Sequence, residues 1–222
     1  MEECGKERVE MTERREREKG WGAAGRACIS FLVLATALLC STASFSFYRQ
    51  EGRLGTKSDR PLEEQNQEYF TDRKVITHEG EKKQFYTDVL KDRVVLISFF
   101  YTNCPTADSD MAKLAEIRKL LDGDSGEKVL FVSVSADPER DTPETVREYA
   151  RRYDAGKGWV LLTGDRENLH AINRKLGNVA PNPESHIRIY LLGNLKTGHW
   201  IRLNQFAPSV AVAEGLRSIT SE

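Results

Sequence analysis

The chain has 222 residues, enough for one ordinary domain with extensions, and its 33 basic residues nearly balance its 34 acidic residues. A chain so close to neutral lacks the strongly basic face that nucleic-acid binding requires, so no nucleic-acid partner is predicted. Charged residues make up 30% and aromatic residues 9% of the chain, as in a typical globular domain. These averages conceal a sharp division along the sequence.

The N-terminal region divides into a charged tail and an uncharged stretch. Residues 1–26 carry seven acidic and seven basic residues, whereas residues 27–47 carry no charge at all. Twenty-one residues in a helix span about 30 Å, the thickness of a bilayer's hydrocarbon core. We therefore predict one transmembrane anchor over 27–47. The small residues Ser41 and Ala43 leave a cleaved signal peptide as the alternative, which the mixed charge of the tail disfavours.

The remainder of the chain is interpreted as a linker followed by one domain. Residues 48–67 are polar and show no hydrophobic periodicity, which is typical of a juxtamembrane linker. From residue 68 to residue 222 the pattern becomes that of a folded domain. The predicted strands are a hairpin of 74–76 with 84–86, and then 94–101, 129–134, 159–162 and 187–192.

Helices are predicted between most of these strands. The first follows Pro105 and has Met111, Leu114, Ile117 and Leu121 at helical spacing. The others begin at Thr142 as N-cap, at Asp165 as N-cap and at Pro208. Strands that alternate with helices in this way predict an α/β fold with a largely parallel central sheet flanked by helices on both faces. The early hairpin and the late strand make the sheet mixed.

Cys104 is the candidate reactive residue. The other three cysteines, Cys4, Cys28 and Cys40, precede the predicted domain, so no disulfide can form within it. Cys104 lies between a buried strand and a helix, where helix N–H groups stabilise a thiolate, the form that attacks disulfides or binds soft metals. Ligands also meet such sheets at the carboxyl ends of their strands. The alternative is a buried structural cysteine.

Four sequence segments carry a family resemblance. They are VVLISFFYTNCP (94–105), SVSADPERDTPETVREYA (133–150), WVLLTGD (159–165) and ESHIRIYLLGN (184–194). Together they closely resemble the SCO/SenC proteins, membrane-anchored thioredoxin-like copper chaperones that support assembly of the binuclear copper centre of cytochrome c oxidase. The resemblance covers about residues 70–220. It implies a thioredoxin-like fold, preceded here by one transmembrane helix.

The resemblance also implies a copper site, with one clear departure. The family's ligands are two cysteines separated by three residues and a distant histidine, which correspond to Cys104, Asp108 and His186. Asp108 therefore stands where the second cysteine is expected. Four residues apart on one helical turn, Cys104 and Asp108 would face the same side, so Asp108 is the third candidate ligand. The alternative is an acid placed in a helix's first turn by the helix dipole alone.

The departure changes the expected chemistry. The resemblance implies copper as the cofactor. Because a carboxylate is a harder ligand than a thiolate, weakened Cu(I) binding is expected. Asp137 and Asp141 also match the family. From their local sequence we expect Asp137 to end a strand in a turn and Asp141 to begin a helix.

The function that follows is a copper-handling assembly factor for cytochrome c oxidase, a metallochaperone more than an enzyme. The expected partners are the oxidase subunit with the copper centre, and a copper donor or thiol reductant. The expected location is a bacterial inner membrane with the C-terminal domain in the periplasm. Two alternatives remain: a thiol-disulfide oxidoreductase or one-cysteine peroxidase acting through Cys104, and a non-catalytic interaction module.

Overall fold

The computed structural model describes residues 49–53 as backbone only, and residues 60–121 and 127–222 in full. The predicted tail (1–26) and anchor (27–47) lie outside the described residues. Among the helices of the described part, none is both long and apolar enough to cross a membrane.

Eight strands and five α-helices make up the described part of the chain. The strands are β1 (Arg49–Arg53), β2 (Lys74–Thr77), β3 (Lys82–Gln84), β4 (Val94–Phe100), β5 (Val129–Ser135), β6 (Trp159–Thr163), β7 (Ile189–Asn194) and β8 (His199–Asn204). The helices are α1 (Leu62–Phe70), α2 (Ala107–Leu120), α3 (Pro143–Arg152), α4 (Arg166–Lys175) and α5 (Ser209–Thr220). A π-helical turn (Phe85–Leu90) and a 3-10 turn (Pro183–Ser185) complete the set.

The strands form one mixed sheet in the order β1-β8-β7-β4-β5-β6-β2-β3. Its centre is parallel: β4 pairs with β5, and β5 pairs with β6, and each of the two connections contains a helix. β7 runs antiparallel to β4 on one side, and β2 runs antiparallel to β6 on the other. The prediction of a mixed α/β sheet with a parallel centre is thus confirmed.

β4 separates the two cores of the domain. Because successive side chains of a strand point to opposite faces, Leu96 and Phe100 pack on one face while Val95, Ile97 and Phe99 pack on the other. The first face is covered by apolar residues of α2, α3 and α5, and the second by those of α1 and α4. From Val95 to Phe100 the strand is buried throughout, as its continuous apolar run predicts.

Residues 48–67, predicted to be a linker, contain β1 and most of α1. β1 pairs antiparallel with β8, which is not among the predicted strands. α1 is fixed by two residues: the Asn66 side chain donates to the Leu195 carbonyl at 3.0 Å, and Phe70 packs on Trp200 with ring centroids 5.1 Å apart. Because α1 has so few apolar positions, it shows no hydrophobic periodicity, and the sequence pattern therefore did not predict a helix here.

The helix starts follow the sequence closely. Thr142 caps α3 by accepting the Thr145 N–H, with Pro143 in the first turn. Asp165 caps α4 by accepting the N–H groups of Glu167 and Asn168. The second half of the predicted hairpin differs, because the chain turns into the π-helical turn at Phe85, whose side chain is fully buried.

His78 extends the pairing of β2 with β6. Its backbone N–H donates to the Leu161 carbonyl at 2.9 Å, and its ring Nδ1 accepts the Leu161 N–H at 3.2 Å. An Nδ1 that accepts cannot carry a proton, so this arrangement needs the neutral ring. Burial lowers the pKa of His78, against a smaller opposing effect of Glu79.

We predict that His78 makes the domain lose stability in mild acid. A histidine whose folded pKa is lowered stabilises the fold fully above its unfolded pKa of about 6.5, and that contribution is lost as pH falls towards the folded pKa. His78→Asn retains an acceptor near Nδ1 but does not titrate. Urea unfolding between pH 8 and pH 5 should show the wild type losing more of its free energy of unfolding than this variant does. If the free energies of unfolding of the two proteins changed in parallel with pH, the role of His78 would be contradicted. The contribution of His186 is present in both proteins, so it cancels from the comparison.

Candidate metal centre

Cys104 lies in the turn that joins β4 to α2. Its N–H donates to the Tyr101 carbonyl at 3.1 Å, and its own carbonyl accepts the Ala107 N–H at 3.0 Å. The residue is free and partly buried. The cysteine therefore precedes the helix, which begins at Ala107. A cysteine in this turn can present its sulfur to a ligand, which a cysteine sealed in the core cannot.

Two hydroxyl groups approach the Cys104 sulfur. The Thr106 Oγ1 lies 3.2 Å from Sγ, within hydrogen-bond range for sulfur. The Tyr101 hydroxyl interacts with the same sulfur, and burial together with this interaction raises the pKa of Tyr101 to about 12. The phenol therefore stays protonated at neutral pH, when it can donate to a thiolate.

Thr106 also belongs to a network on the far side of the sulfur. Its hydroxyl donates to Asp110 Oδ2 at 2.7 Å, and Arg188 Nη2 donates to the same carboxylate oxygen at 3.0 Å. Arg188 also contacts the Thr106 hydroxyl directly. The network joins the start of α2 to Arg188, which directly precedes β7, and holds Thr106 against the sulfur.

His186 arrives from far along the chain, directly after the 3-10 turn. Its Nδ1 lies 2.8 Å from the Pro183 carbonyl, which can only accept, so Nδ1 carries the proton. Burial lowers the pKa of His186, so the ring is neutral at pH 7 and Nε2 carries the lone pair. Histidine ligands of metals are commonly held in this way, with the second nitrogen donating to a carbonyl.

Asn178 fixes the segment that carries His186. Its Oδ1 accepts the N–H of Ile187 at 2.9 Å, and its Nδ2 donates to Asn173 Oδ1 at 2.7 Å. Asn173 in turn donates to the Ser135 carbonyl at the end of β5. Both asparagines are buried. The histidine is therefore held in register with the carboxyl end of the sheet.

Cys104 and His186 line the same small cavity, together with Asp110, Tyr149, Tyr190 and Gln205. The Tyr101 ring lies edge-on to the His186 ring, with centroids 5.5 Å apart, and so contacts both residues. The structure thus brings together two of the three residues that the sequence singled out. Within residues 60–121 and 127–222, no three histidine, cysteine, aspartate or glutamate side chains converge closely enough to hold a metal ion by themselves.

Asp108 does not line this cavity. Its carboxylate accepts the Tyr153 hydroxyl and lies 3.4 Å from Arg152 Nη2, with 75% of the side chain exposed. The expectation that it faces the Cys104 side assumed a helical turn over residues 104–108. Because α2 begins only at Ala107, helical spacing does not apply, and Asp108 joins α2 to the end of α3 instead.

Asp141 has a larger role than its local sequence indicates. Thr142, not Asp141, caps α3, and the Asp141 carboxylate is buried. It accepts the Thr102 N–H at 3.0 Å, the Thr102 hydroxyl at 2.7 Å and the Ser135 hydroxyl at 2.5 Å. It therefore ties the Cys104 turn to the end of β5. Burial raises the pKa of Asp141, and these hydrogen bonds oppose the rise.

Asp137 lies on a different cavity, about 200 Å³ in volume, that is also lined by Arg140, Arg166 and His170. Its side chain is buried and lies 3.4 Å from Arg140 Nε. The turn predicted at this position is present, because the Asp137 carbonyl accepts the N–H groups of Arg140 and Asp141.

Comparison with known proteins identifies the family. The SCO1/SenC family model matches residues 63–190, more than half of the chain, so this chain belongs to that family. A "Putative copper-binding protein" of Stutzerimonas stutzeri is 36% identical over 96 residues, which is 42% of this chain and 45% of that protein. The chain spans about half the length of the curated relatives it matches.

Solved structures confirm the thioredoxin-like fold. Arabidopsis thaliana ScoI with copper bound has a TM-score of 0.57 at 21% identity, covering 69% of this chain and 99% of that one. BsSco, described as a member of the Sco family of cytochrome c oxidase assembly proteins, has a TM-score of 0.56 at 21% identity, covering 68% and 93%. At this identity the likeness concerns the fold.

We predict unequal effects of two aspartate substitutions on stability. Asp141→Ala leaves buried hydrogen-bond donors without an acceptor and should lower the free energy of unfolding by roughly 2–3 kcal/mol. Asp108→Ala removes an exposed ion pair with Arg152 and should lower the free energy of unfolding by less than about 1 kcal/mol. Urea denaturation of both variants at pH 7 measures the difference. Equal losses would mean that the Thr102–Asp141 contact does not fix the turn.

Proposed function

We propose that this chain is a membrane-anchored, SCO-type copper-handling protein that assists assembly of the copper centre of cytochrome c oxidase, with a weakened copper site. The observation that carries the proposal is the shared cavity of Cys104 and His186, with His186 in the tautomer that leaves Nε2 available. The copper-bound ScoI structure and the copper-binding relative support copper as the cargo. The description of BsSco supports the link with the oxidase.

The donor chemistry fits copper. A thiolate and an imidazole are ligands that copper accepts, and thiolate in particular favours Cu(I). Since His186 is neutral at pH 7, it binds a metal without first losing a proton. The Tyr101 hydroxyl, which stays protonated at neutral pH, can donate to the Cys104 sulfur, whereas the Thr106 hydroxyl donates to Asp110.

The weakening follows from Asp108. The position where the family has a second cysteine carries a hard carboxylate that is engaged with Tyr153 and Arg152 on the surface. One thiolate remains, and with it no internal dithiol couple. Such a site holds Cu(I) less firmly than a two-thiolate site and gives it up more readily to a partner.

The cellular setting belongs to the same proposal. Residues 27–47 would anchor the domain in a bacterial inner membrane and present the cavity to the periplasm. The oxidase subunit with the copper centre is the acceptor, and a copper donor or thiol reductant acts on Cys104 beforehand. Anchoring in the same membrane as the oxidase raises the effective concentration of the domain at its partner, which compensates for weak copper binding.

We predict that Cu(I) binds one site that depends on Cys104. Competition titration of the full chain should show this site lost in Cys104→Ser, weakened at least about tenfold in His186→Ala, and strengthened in Asp108→Cys. Cys104→Ser also defines any background from Cys4, Cys28 and Cys40. Indistinguishable binding by the wild type and Cys104→Ser would remove the copper site from the proposal.

In cells, we predict that Cys104→Ser and His186→Ala each lower the copper content and activity of the oxidase. Glu139→Ala, an exposed change at the separate cavity that Asp137 lines, serves as the control with normal oxidase. Copper content of the purified oxidase and its turnover are the measurements. Full assembly in the Cys104→Ser strain would favour a non-catalytic interaction module.

The thiol alternative is favoured by one observation, the two hydroxyl groups at the Cys104 sulfur. In that function the thiolate attacks a hydroperoxide, the O–O bond breaks, Cys104 becomes a sulfenic acid and the alcohol or water leaves. An external thiol then reduces the sulfenic acid. Peroxide turnover that disappears in Cys104→Ser, in protein that binds no Cu(I), would replace the copper proposal with this one.

A further inference from the structure

The Tyr190 hydroxyl stands out in the site because nothing satisfies it. The residue is fully buried, and its hydroxyl has no hydrogen-bond partner within the described part of the chain. A buried hydroxyl without a partner costs free energy, so native proteins usually pair such groups with protein, water or a ligand. An unpaired one beside a candidate site therefore indicates a ligand.

Tyr190 belongs to the wall of the Cys104–His186 cavity. It lies on β7, four residues after His186, and lines the cavity with both residues. The nearest charged groups are engaged elsewhere, because Asp110 is held by Thr106 and Arg188. Burial raises the pKa of Tyr190, so its phenol remains a hydrogen-bond donor.

The cavity's size limits what it can hold. It leaves about 10 Å³ for the centre of a water-sized sphere, which is close to the smallest volume that accommodates one water molecule. A substrate molecule or a partner's side chain does not fit, so any further ligand of an ion held by Cys104 and His186 is as small as one oxygen.

We propose that the Tyr190 hydroxyl binds one oxygen ligand, a water or hydroxide, that completes the coordination of a divalent ion held by Cys104 and His186. The inference rests on the proposed function and extends it to the identity of the ion. The oxygen takes the position that a second thiolate would otherwise fill, since Asp108 is turned away. Tyr190 is a positioning residue, because it acts on the ion through the oxygen.

This arrangement distinguishes the two oxidation states of copper. Oxygen ligands suit Cu(II) and other divalent ions, whereas Cu(I) is satisfied by the thiolate and the imidazole. Removing the Tyr190 hydroxyl should therefore lower the affinity for a divalent ion and leave the affinity for Cu(I) unchanged. Co(II) reports on the divalent state without oxidising the cysteine, and its visible absorption bands follow the geometry of its ligands.

The test compares Tyr190→Phe with the wild type in the full chain, titrated separately with Co(II) and with Cu(I). Co(II) affinity should fall about tenfold, the loss typical of an outer-shell hydrogen bond, and the visible bands should shift. Cu(I) affinity should be unchanged. Without ion, the melting temperature should be equal or higher, because Phe removes an unsatisfied hydroxyl. Tyr86→Phe, which alters a buried phenol in the other core, should change neither titration.

The outcomes separate the two claims. Equal Co(II) affinity and identical spectra in the wild type and Tyr190→Phe would overturn the role of Tyr190 while leaving Cu(I) binding intact. A parallel loss of Cu(I) affinity would also overturn it, because the hydroxyl would then serve the site's structure and not an oxygen ligand. Absence of any Cys104-dependent ion binding in the wild type would overturn the proposed function itself.

Discussion

The buried carboxylate of Asp141 is the constraint on which the site depends. The turn after β4 has no strand partner to hold it, yet the Thr102 N–H and hydroxyl both donate to this one side chain. The same carboxylate accepts the Ser135 hydroxyl at the end of β5. Two parallel strands thus end in register, and Cys104 follows two residues after the fixed point. Without this contact the sulfur would have no defined position relative to the sheet.

The remaining site residues are positioned by buried polar contacts of the same kind. Asn178 holds the backbone that follows His186, and the Pro183 carbonyl sets the tautomer of its ring. Thr106 is held against the sulfur by Asp110 and Arg188. Each element of the site is therefore fixed before any ion arrives, which reduces the ordering cost of binding. What the preformed cavity lacks, among the described residues, is a second thiolate.

The sequence predicted the parts that depend on local pattern. The continuous apolar run at β4, the Thr142 cap of α3 and the Asp165 cap of α4 all have short-range signatures, and the structure contains each of them. The pairing of Cys104 with His186 came only from the family resemblance, because 82 residues separate them and no periodicity links them.

Other features had no local signal. α1 depends on the contact of Phe70 with Trp200, two residues that are far apart in the sequence. Its polar composition indicated a linker. Asp141 looked like a helix-start residue, since nothing nearby shows that its carboxylate turns towards Thr102. Asp108 was expected on the Cys104 side because a helical turn was assumed over residues 104–108, whereas α2 begins only at Ala107. Tyr190 occupies an ordinary strand position in the sequence, and only the unpaired hydroxyl in the folded domain singles it out.

The exposed position of Asp108 has a consequence for how this family can vary. Its carboxylate rests on the surface between two helices, and nothing in the core relies on it. Exchange between aspartate and cysteine there would leave the packing of the domain unchanged. A sulfur at this position would reach Cys104 only if the first turn of α2 moved it away from Tyr153 and Arg152, so the cost of a two-sulfur site falls on that turn and not on the core.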